Sequence, residues 1–360
     1  MAKIPLSKVF LNDEIRAAAA AALDSGMYIL GRECEAFEQE LADYTGTRHA
    51  VLSSSWTAAT ILLLQVMELS AGDEVIVPSH TAFPTVEPII LAGAKPVFVD
   101  VDDSYCMDPA QVAAAIGPRT VGVMPVHLYG HPADMDAIQQ LAERHGLWVF
   151  EDCAQAQGAM HRGRRVGSIG FASGFSFYPS KNLTVLGDGG CICTNDDRLA
   201  DGVRMLRNHG RKSKFTHEKV GYNLRFNEIQ AAAGRVALRY LDQLNAHRRE
   251  VAGHYSRRLG ELVVTPPERG WADPVYHMYV IRTPDRDALA AHLSAQGIDT
   301  GIHYPVANHQ QAAITGLDSE LPSLPNTERW VDEILSLPIH GQMSLEEVDR
   351  VCDAVISFIE

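Results

Sequence analysis

From Val51 to Glu151 the chain alternates short apolar runs with longer stretches of helical periodicity, and this alternation is the strongest constraint on its fold. Strands are read at Val51–Ser53, Glu74–Pro78, Pro96–Val101, Val121–Val126 and Leu147–Glu151. Between them lie helices at Thr57–Leu69, closed near Gly72, and at Pro84–Leu91, where Pro88 marks a start or a kink. Two more follow: Pro109–Ile116, opened by Asp108-Pro109, and Met135–His145, stopped by Gly146. Neighbouring parallel strands need a crossover, usually a helix, so the pattern predicts a mostly parallel sheet covered on both faces. An alanine-rich helix around Ala17–Ala22, capped by Asn12 or Asp13 and ended by Gly26, precedes it.

After Asp152 the pattern changes. Gly174–Phe177 and Gly190–Thr194 read as strands without a full helix between them, which predicts an antiparallel pair and a mixed sheet. Alternation puts Cys191 and Cys193 on one face of the second. Helices follow at Leu199–Leu206, Asn227–Asn245 and Arg248–Leu259. A strand at Tyr276–Arg282, a helix at Asp285–Gln296 and a closing helix at Leu345–Ile359 complete the chain. At about 150 residues per domain, 360 residues suggest two units. A boundary near Leu244–His247 divides them into a large domain, 12–245, and a smaller α+β domain, 246–360, with residues 1–11 packing beside it.

Composition narrows the function classes. A net charge of −14 argues against coating nucleic acid or an anionic membrane, because either needs a positive field. Apolar runs such as Ile61–Leu64 fall far short of the ~20 residues that span a bilayer, and the first residues lack the apolar stretch of a secretion signal. Six cysteines without a CxxC pair read as reduced, buried thiols, and a cytoplasmic protein is expected. His127 and His131 find no third ligand at metal-site spacing, so no metal is expected.

Ligands of open α/β sheets gather at the carboxyl ends of the strands, and four segments fall there. Ser53-Ser54-Ser55-Trp56-Thr57-Ala58 is a hydroxyl-rich turn entering a helix, either an ordinary N-cap or a phosphate cradle. Glu151-Asp152-Cys153-Ala154-Gln155 ends a strand in carboxylates, which cap, form ion pairs or hold a protonated ring nitrogen. In Phe175–Asn182, Lys181 lies between an apolar strand and the turn Gly187-Asp188-Gly189-Gly190; it is either a solvated charge or a sheltered nucleophilic amine. Gly221-Tyr222-Asn223-Leu224-Arg225 is a polar turn before the long helix. No Walker A loop or GxGxxG is present. Together, a phosphate cradle, an acidic strand end and a sheltered lysine are what pyridoxal 5′-phosphate requires.

In this order the motifs resemble the DegT/StrS sugar aminotransferases, of the aspartate aminotransferase-like fold type I. The matching segments include GDEVIVPSHT (72–81), AGAKPVFVDVD (92–102), EDCAQAQGA (151–159), FSFYPSKNL (175–183), GYNLRFNEIQAA (221–232), GIHYP (301–305) and LSLPIH (335–340). The resemblance implies that Lys181 carries the cofactor as a Schiff base and shuttles protons, that Asp152 pairs with the ring nitrogen, and that Gln155 meets the ring hydroxyl. Thr57, Ala58 and Ser176 would bind the phosphate. Asn223 would reach the phosphate of a neighbouring subunit's cofactor, which implies a homodimer with shared sites. The implied reaction is ping-pong: glutamate converts the cofactor to pyridoxamine phosphate, which aminates a 3- or 4-keto deoxysugar carried on a nucleotide diphosphate. The product would serve a surface glycan, such as a lipopolysaccharide O-antigen, or a natural product.

Two positions depart from the family. Trp56 stands where glycine is common and would line the substrate pocket. Ala82 stands where an aromatic residue stacks on the ring, which leaves His80 or Phe83 for that part. Lysine at 181, where the sugar-dehydrating members carry histidine, favours transamination. Lys219, Arg225, His303, Tyr304 and His309 are further candidates for the sugar-nucleotide pocket. Two other readings share the same parts: amination of a keto-cyclitol, and a regulatory protein on a retired enzyme fold.

Overall fold

The computed structural model describes residues 3–316 and 321–360. Its centre is a seven-stranded sheet built from β1 (His49–Ser53), β2 (Glu74–Pro78), β3 (Lys95–Val99), β4 (Thr120–Val123), β5 (Trp148–Asp152), β8 (Ala172–Ser176) and β9 (Gly190–Thr194), in the order β1-β9-β8-β5-β4-β2-β3. Five strands pair in parallel from β8 to β3, and β9 runs antiparallel to both β8 and β1. This is the mixed, mostly parallel sheet that the alternation predicts. The short strands β6 (Met160–His161) and β7 (Arg164–Arg165) pair with β10 (Ala272–Asp273), and β11 (Tyr279–Arg282) pairs with β12 (Ile334–Leu337).

Helices cover both faces because each strand is apolar on both sides. On β2, Val75 and Val77 enter one cluster with α3 (Trp56–Val66) and α4 (Glu87–Leu91). Ile76, between them, points the other way, to α5 (Pro109–Ala115) and α6 (Met135–His145). Beside β8 and β9, α1 (Asp13–Asp24), α2 (Arg32–Thr45) and the first half of α8 (Glu228–Leu259) close a core around Phe37, Phe177 and Phe226. Helix α7 (Asp197–Leu206) packs Leu206 and Val203 with Val51. The C-terminal core joins the second half of α8 to β11, β12, α9 (Arg286–Ala295) and α12 (Leu345–Ile359), and takes in Ile4. The short α10 (Ala312–Thr315) adds Ile314 to the α3 cluster, and α11 (Pro325–Glu333) packs Trp330 with Val101, Tyr105 and Tyr129.

Several elements differ from the sequence reading, which assigns no strand to β12 and no helix to α11, and three of the differences have a plain physical reason. Pro84–Leu91 is a 3₁₀ turn (Phe83–Thr85) followed by α4, because Pro88 lacks an N–H to continue the ladder. Helix α2, whose buried Cys34, Phe37 and Leu41 recur at helical spacing, lies outside the alternation. Helix α8 is one unbroken helix of 32 residues, not two. Asn245, at the expected break, is buried and shared: it donates to the Gln157 carbonyl (2.8 Å) and accepts from Asn182 (2.9 Å). The polar composition there reflects a built contact and not a chain break.

Candidate active site

The carboxyl ends of β1, β2, β5 and β8 open into one cavity of about 370 Å³. Its walls bring together Ser55, Trp56 and Thr57 at the start of α3, Ala82, Pro84 and Thr85 after β2, and Asp152, Ala154 and Gln155 at the end of β5. Thr81, Val126, Ser176, Tyr178, Lys181, Asp188, Gly189 and Tyr304 complete it. A cavity of this size holds a small organic ligand.

Asp152 ends β5 and is 2% exposed. Burial raises its pKa above the ordinary carboxylate value, against the Ala154 N–H (3.0 Å to Oδ1), the Thr85 hydroxyl (2.8 Å to Oδ2) and the Lys181 charge, which favour the anion. Lys181 lies in the turn after β8, its N–H donating to the Tyr178 carbonyl at 2.8 Å. The next residue fastens that turn: Asn182 Nδ2 donates to Asn245 Oδ1 (2.9 Å) and to the Val275 carbonyl (3.1 Å). Burial lowers the Lys181 amine to about 8, with Asp152 opposing the shift. Both groups are thus poorly solvated as ions.

At the other end the Ser55 side chain caps α3 by accepting from the Ala58 N–H at 3.0 Å. The N–H groups of Trp56 and Thr57, ahead of it, have no intrahelical acceptor. Gly190 lets β9 approach this end, since a Cβ there would fall 2.5 Å from the Trp56 nitrogen. Gln155 is fixed by two bonds, Oε1 accepting from the Tyr129 N–H (2.7 Å) and Nε2 donating to the Tyr304 hydroxyl (3.1 Å).

Trp56, Thr57, Asp152, Gln155, Ser176, Lys181 and Tyr304 therefore share one cleft. The Trp56 ring itself packs into the core against Phe150, with centroids 6.4 Å apart. Ala58 lies one residue into the helix, its N–H spent on the cap. His80 and Phe83 do not line the cleft: His80 Nε2 is 2.7 Å from the Tyr129 hydroxyl, and Phe83 packs toward the core beside α3. The apolar residues lining the cleft include Ala82, Pro84, Val126 and Ala154. His303 is held by Ser336 (2.9 Å), and burial, then the Lys181 charge, pushes its pKa down to about 4. His309 lies outside the cleft lining, 2.7 Å from the Ser79 hydroxyl. Lys219 pairs with Glu68 on the surface at 2.9 Å, Asn223 is exposed, and neither these nor Arg225 lines this chain's own cleft. Thr85, the side chain that touches Asp152, is absent from the sequence reading; its only signal is a hydroxyl pair, Thr81 and Thr85, beyond a strand end.

His127, Glu151 and Cys153 come close enough to suggest a metal, but their donor set is filled. Glu151 accepts from His127 Nε2 (3.1 Å) and from the N–H groups of Gly167, Ile169 and Gly170, while His127 Nδ1 accepts from Ala133. Burial raises the Cys153 thiol far above its usual pKa. All six cysteines are buried and free.

A lysine of lowered basicity, a buried acid and a helix end with open N–H groups, all on one cavity, fit pyridoxal phosphate at its aldehyde, its ring nitrogen and its phosphate. The fold and cleft together define an aminotransferase of fold type I. The profile of the DegT/DnrJ/EryC1/StrS aminotransferase family matches residues 10–356, and the chain belongs to that family. It is 46% identical over 356 residues to the dTDP-3-amino-3,4,6-trideoxy-alpha-D-glucose transaminase of Streptomyces venezuelae, covering 97% of this chain and 93% of the relative. It is equally similar, 46% over 344 residues (95% and 94%), to the erythromycin biosynthesis sensory transduction protein EryC1 of Saccharopolyspora erythraea. The crystal structure of S. venezuelae DesV in complex with a ketimine intermediate superposes with a TM-score of 0.97 at 44% identity, covering 100% of this chain and 99% of that one. No helix among the described residues is long and apolar enough to cross a membrane.

Proposed function

We propose that this chain moves an amino group from glutamate to the 3-keto position of a deoxysugar carried on a nucleotide diphosphate, with pyridoxal phosphate as its cofactor. The observation that carries this reading is that Lys181 and Asp152 line one cavity, each shifted by burial toward its neutral form. When bound, the cofactor supplies an electron sink. Lys181 holds it through its neutral amine and moves the proton between the carbon that gains or loses the amino group and the cofactor. Asp152 keeps the ring nitrogen protonated, and Gln155, already oriented by Tyr129 and Tyr304, meets the ring hydroxyl. Thr57, Ser176 and the open end of α3 hold the phosphate, with Ala58 placed behind them by the Ser55 cap.

Amination at carbon 3 and the nucleotide carrier are supported by what the Streptomyces relative is named for. The homodimer is supported by the surface: Met27, Tyr28 and Ile29 are exposed beside Asn227, as are Val220 and Tyr222 in the segment leading to it. Such an apolar strip suits a second copy, whose cleft would receive Asn223 and its neighbours Lys219 and Arg225.

The test is a panel of keto-sugar nucleotides with glutamate as donor, read by mass spectrometry. A mass change matching replacement of the keto oxygen by an amino group on a 3-keto substrate is expected. Turnover of inososes alone would replace this reading with the cyclitol one, and the absence of any half-reaction with glutamate would leave a regulatory protein on the same fold.

A further inference from the structure

Asp152 is the end point of a chain of hydroxyls. The Thr85 hydroxyl donates to Oδ2 at 2.8 Å, and the Thr81 hydroxyl lies 3.0 Å from Thr85. Thr85 has a single proton, spent on the carboxylate, so the contact between the threonines uses the proton of Thr81. Both residues are buried, 3% and 2% exposed. The segment that carries them is strapped from the C-terminal half. Asn308 Nδ2 donates to the carbonyls of Ser79 (3.0 Å) and Thr81 (2.7 Å), and its own N–H donates to the Ser79 carbonyl (3.0 Å).

Direction matters in such a chain. With Asp152 ionised, every proton has an acceptor. With Asp152 protonated and donating to Thr85, the chain reverses, Asp152 loses the bond it accepts from Thr85, and Thr81, which also lines the cleft, has to turn its proton away from Thr85. The arrangement favours the anion and fixes the rotation of the carboxyl group. Four charged or titratable groups also bear on Asp152. Lys181 and His127 favour its anion, while Tyr304 and Cys153 are held in their protonated, uncharged forms by burial. Thr85 differs from all four in that it does not itself titrate in the working range.

We infer that Thr85, backed by Thr81, is a positioning residue that keeps Asp152 ionised and aligned for the ring nitrogen of the cofactor. The inference rests on the pyridoxal phosphate reading. Its test uses the full chain, reconstituted with pyridoxal phosphate, as wild type, Thr85→Val, Thr85→Ser and Thr81→Val. Two quantities are measured by visible absorption: the dissociation constant of the cofactor and the pH midpoint of its band. Thermal melting of each apoprotein checks folding.

Thr85→Val is expected to weaken cofactor binding about ten- to a hundredfold, the loss of one hydrogen bond to a charged group. It is also expected to move the pH midpoint upward, because a ring nitrogen that is less fully protonated withdraws fewer electrons. Thr85→Ser, which keeps the hydroxyl, should stay within about twofold of wild type, and Thr81→Val should move both quantities in the same direction by less. A folded Thr85→Val with unchanged midpoint overturns the inference, as does a Thr85→Ser as impaired as the valine. If Thr85→Val does not fold, an unmoved midpoint in Thr81→Val overturns it. Wild type that takes up no pyridoxal phosphate removes the functional reading itself, an outcome distinct from all of these.

Discussion

Lys181 carries its function through the cost of its own charge. Solvated, its ammonium would persist to about pH 10.4, whereas the cleft brings it to about 8. The neutral amine is the form that attacks a carbonyl, so protonation protects it at low pH and its loss activates it. The rate at which apoprotein takes up pyridoxal phosphate should therefore rise with pH and level off just above 8. A stopped-flow pH profile checks this, and a rate still climbing past 10 would mean a solvated lysine. Lys181→Ala should lose the visible band of the bound cofactor and lower turnover by more than about a thousandfold, measured by absorption and single-turnover assay. Asp152 was legible as a candidate because a carboxylate at a strand's carboxyl end has few inexpensive roles. Thr85 was not, because nothing in a sequence says which hydroxyl a buried acid will meet.

At the scale of elements, the two ends of the large core are joined by a carboxylate. Glu228, at the first turn of α8, accepts from the N–H groups of Gly31 (2.8 Å), Glu33 (2.9 Å) and Cys34 (2.9 Å), and so supplies the cap that α2 lacks from its own Gly31. Burial, the largest influence, raises the Glu228 pKa, but the Cys34 thiol and these N–H donors together hold it below the usual carboxylate value. Glu228→Ala should cost about 3 kcal/mol and lower the melting temperature by several degrees. Because the folded pKa is depressed, the stability it confers is present above the ordinary carboxylate pKa and is lost as pH falls through the folded value. Differential scanning calorimetry of wild type and variant between pH 7 and 3 should find the gap closing on the acid side. The sequence reading assigns no helix at α2, although Cys34, Phe37 and Leu41 recur at helical spacing, and nothing local pairs Gly31 with a carboxylate 197 residues away.

On the scale of the whole molecule, the separation of Asn223 from its own chain's cleft is the property with most reach. If each site borrows Asn223 from the second copy, Lys181→Ala and Asn223→Ala are defects on different halves of a site. Each variant alone should be nearly inactive. Mixing them at equal concentration and allowing exchange should restore roughly a quarter of wild-type activity, since about half of the dimers are hybrids with one intact site each. Mixed subunits that stay inactive, or a monomer by light scattering, would remove the shared-site arrangement.

The sequence alone determined the sheet and the cast of the cleft. Period-two apolar runs bury only as strands, runs apolar on both faces need helices on both sides, and the carboxyl ends of such strands are where a lysine, an acid and a hydroxyl turn meet. The antiparallel β9 and the facing sulfurs of Cys191 and Cys193, 3.8 Å apart, were readable for the same reason. Tertiary structure decided what local pattern does not encode. It turned His80 to Tyr129 and Phe83 to the core, kept α8 whole through Asn245, and set Thr85 on Asp152 and Glu228 on α2. Each of these is a buried polar or aromatic group choosing its partner, and that choice depends on which distant segments the packed cores bring within a few ångströms.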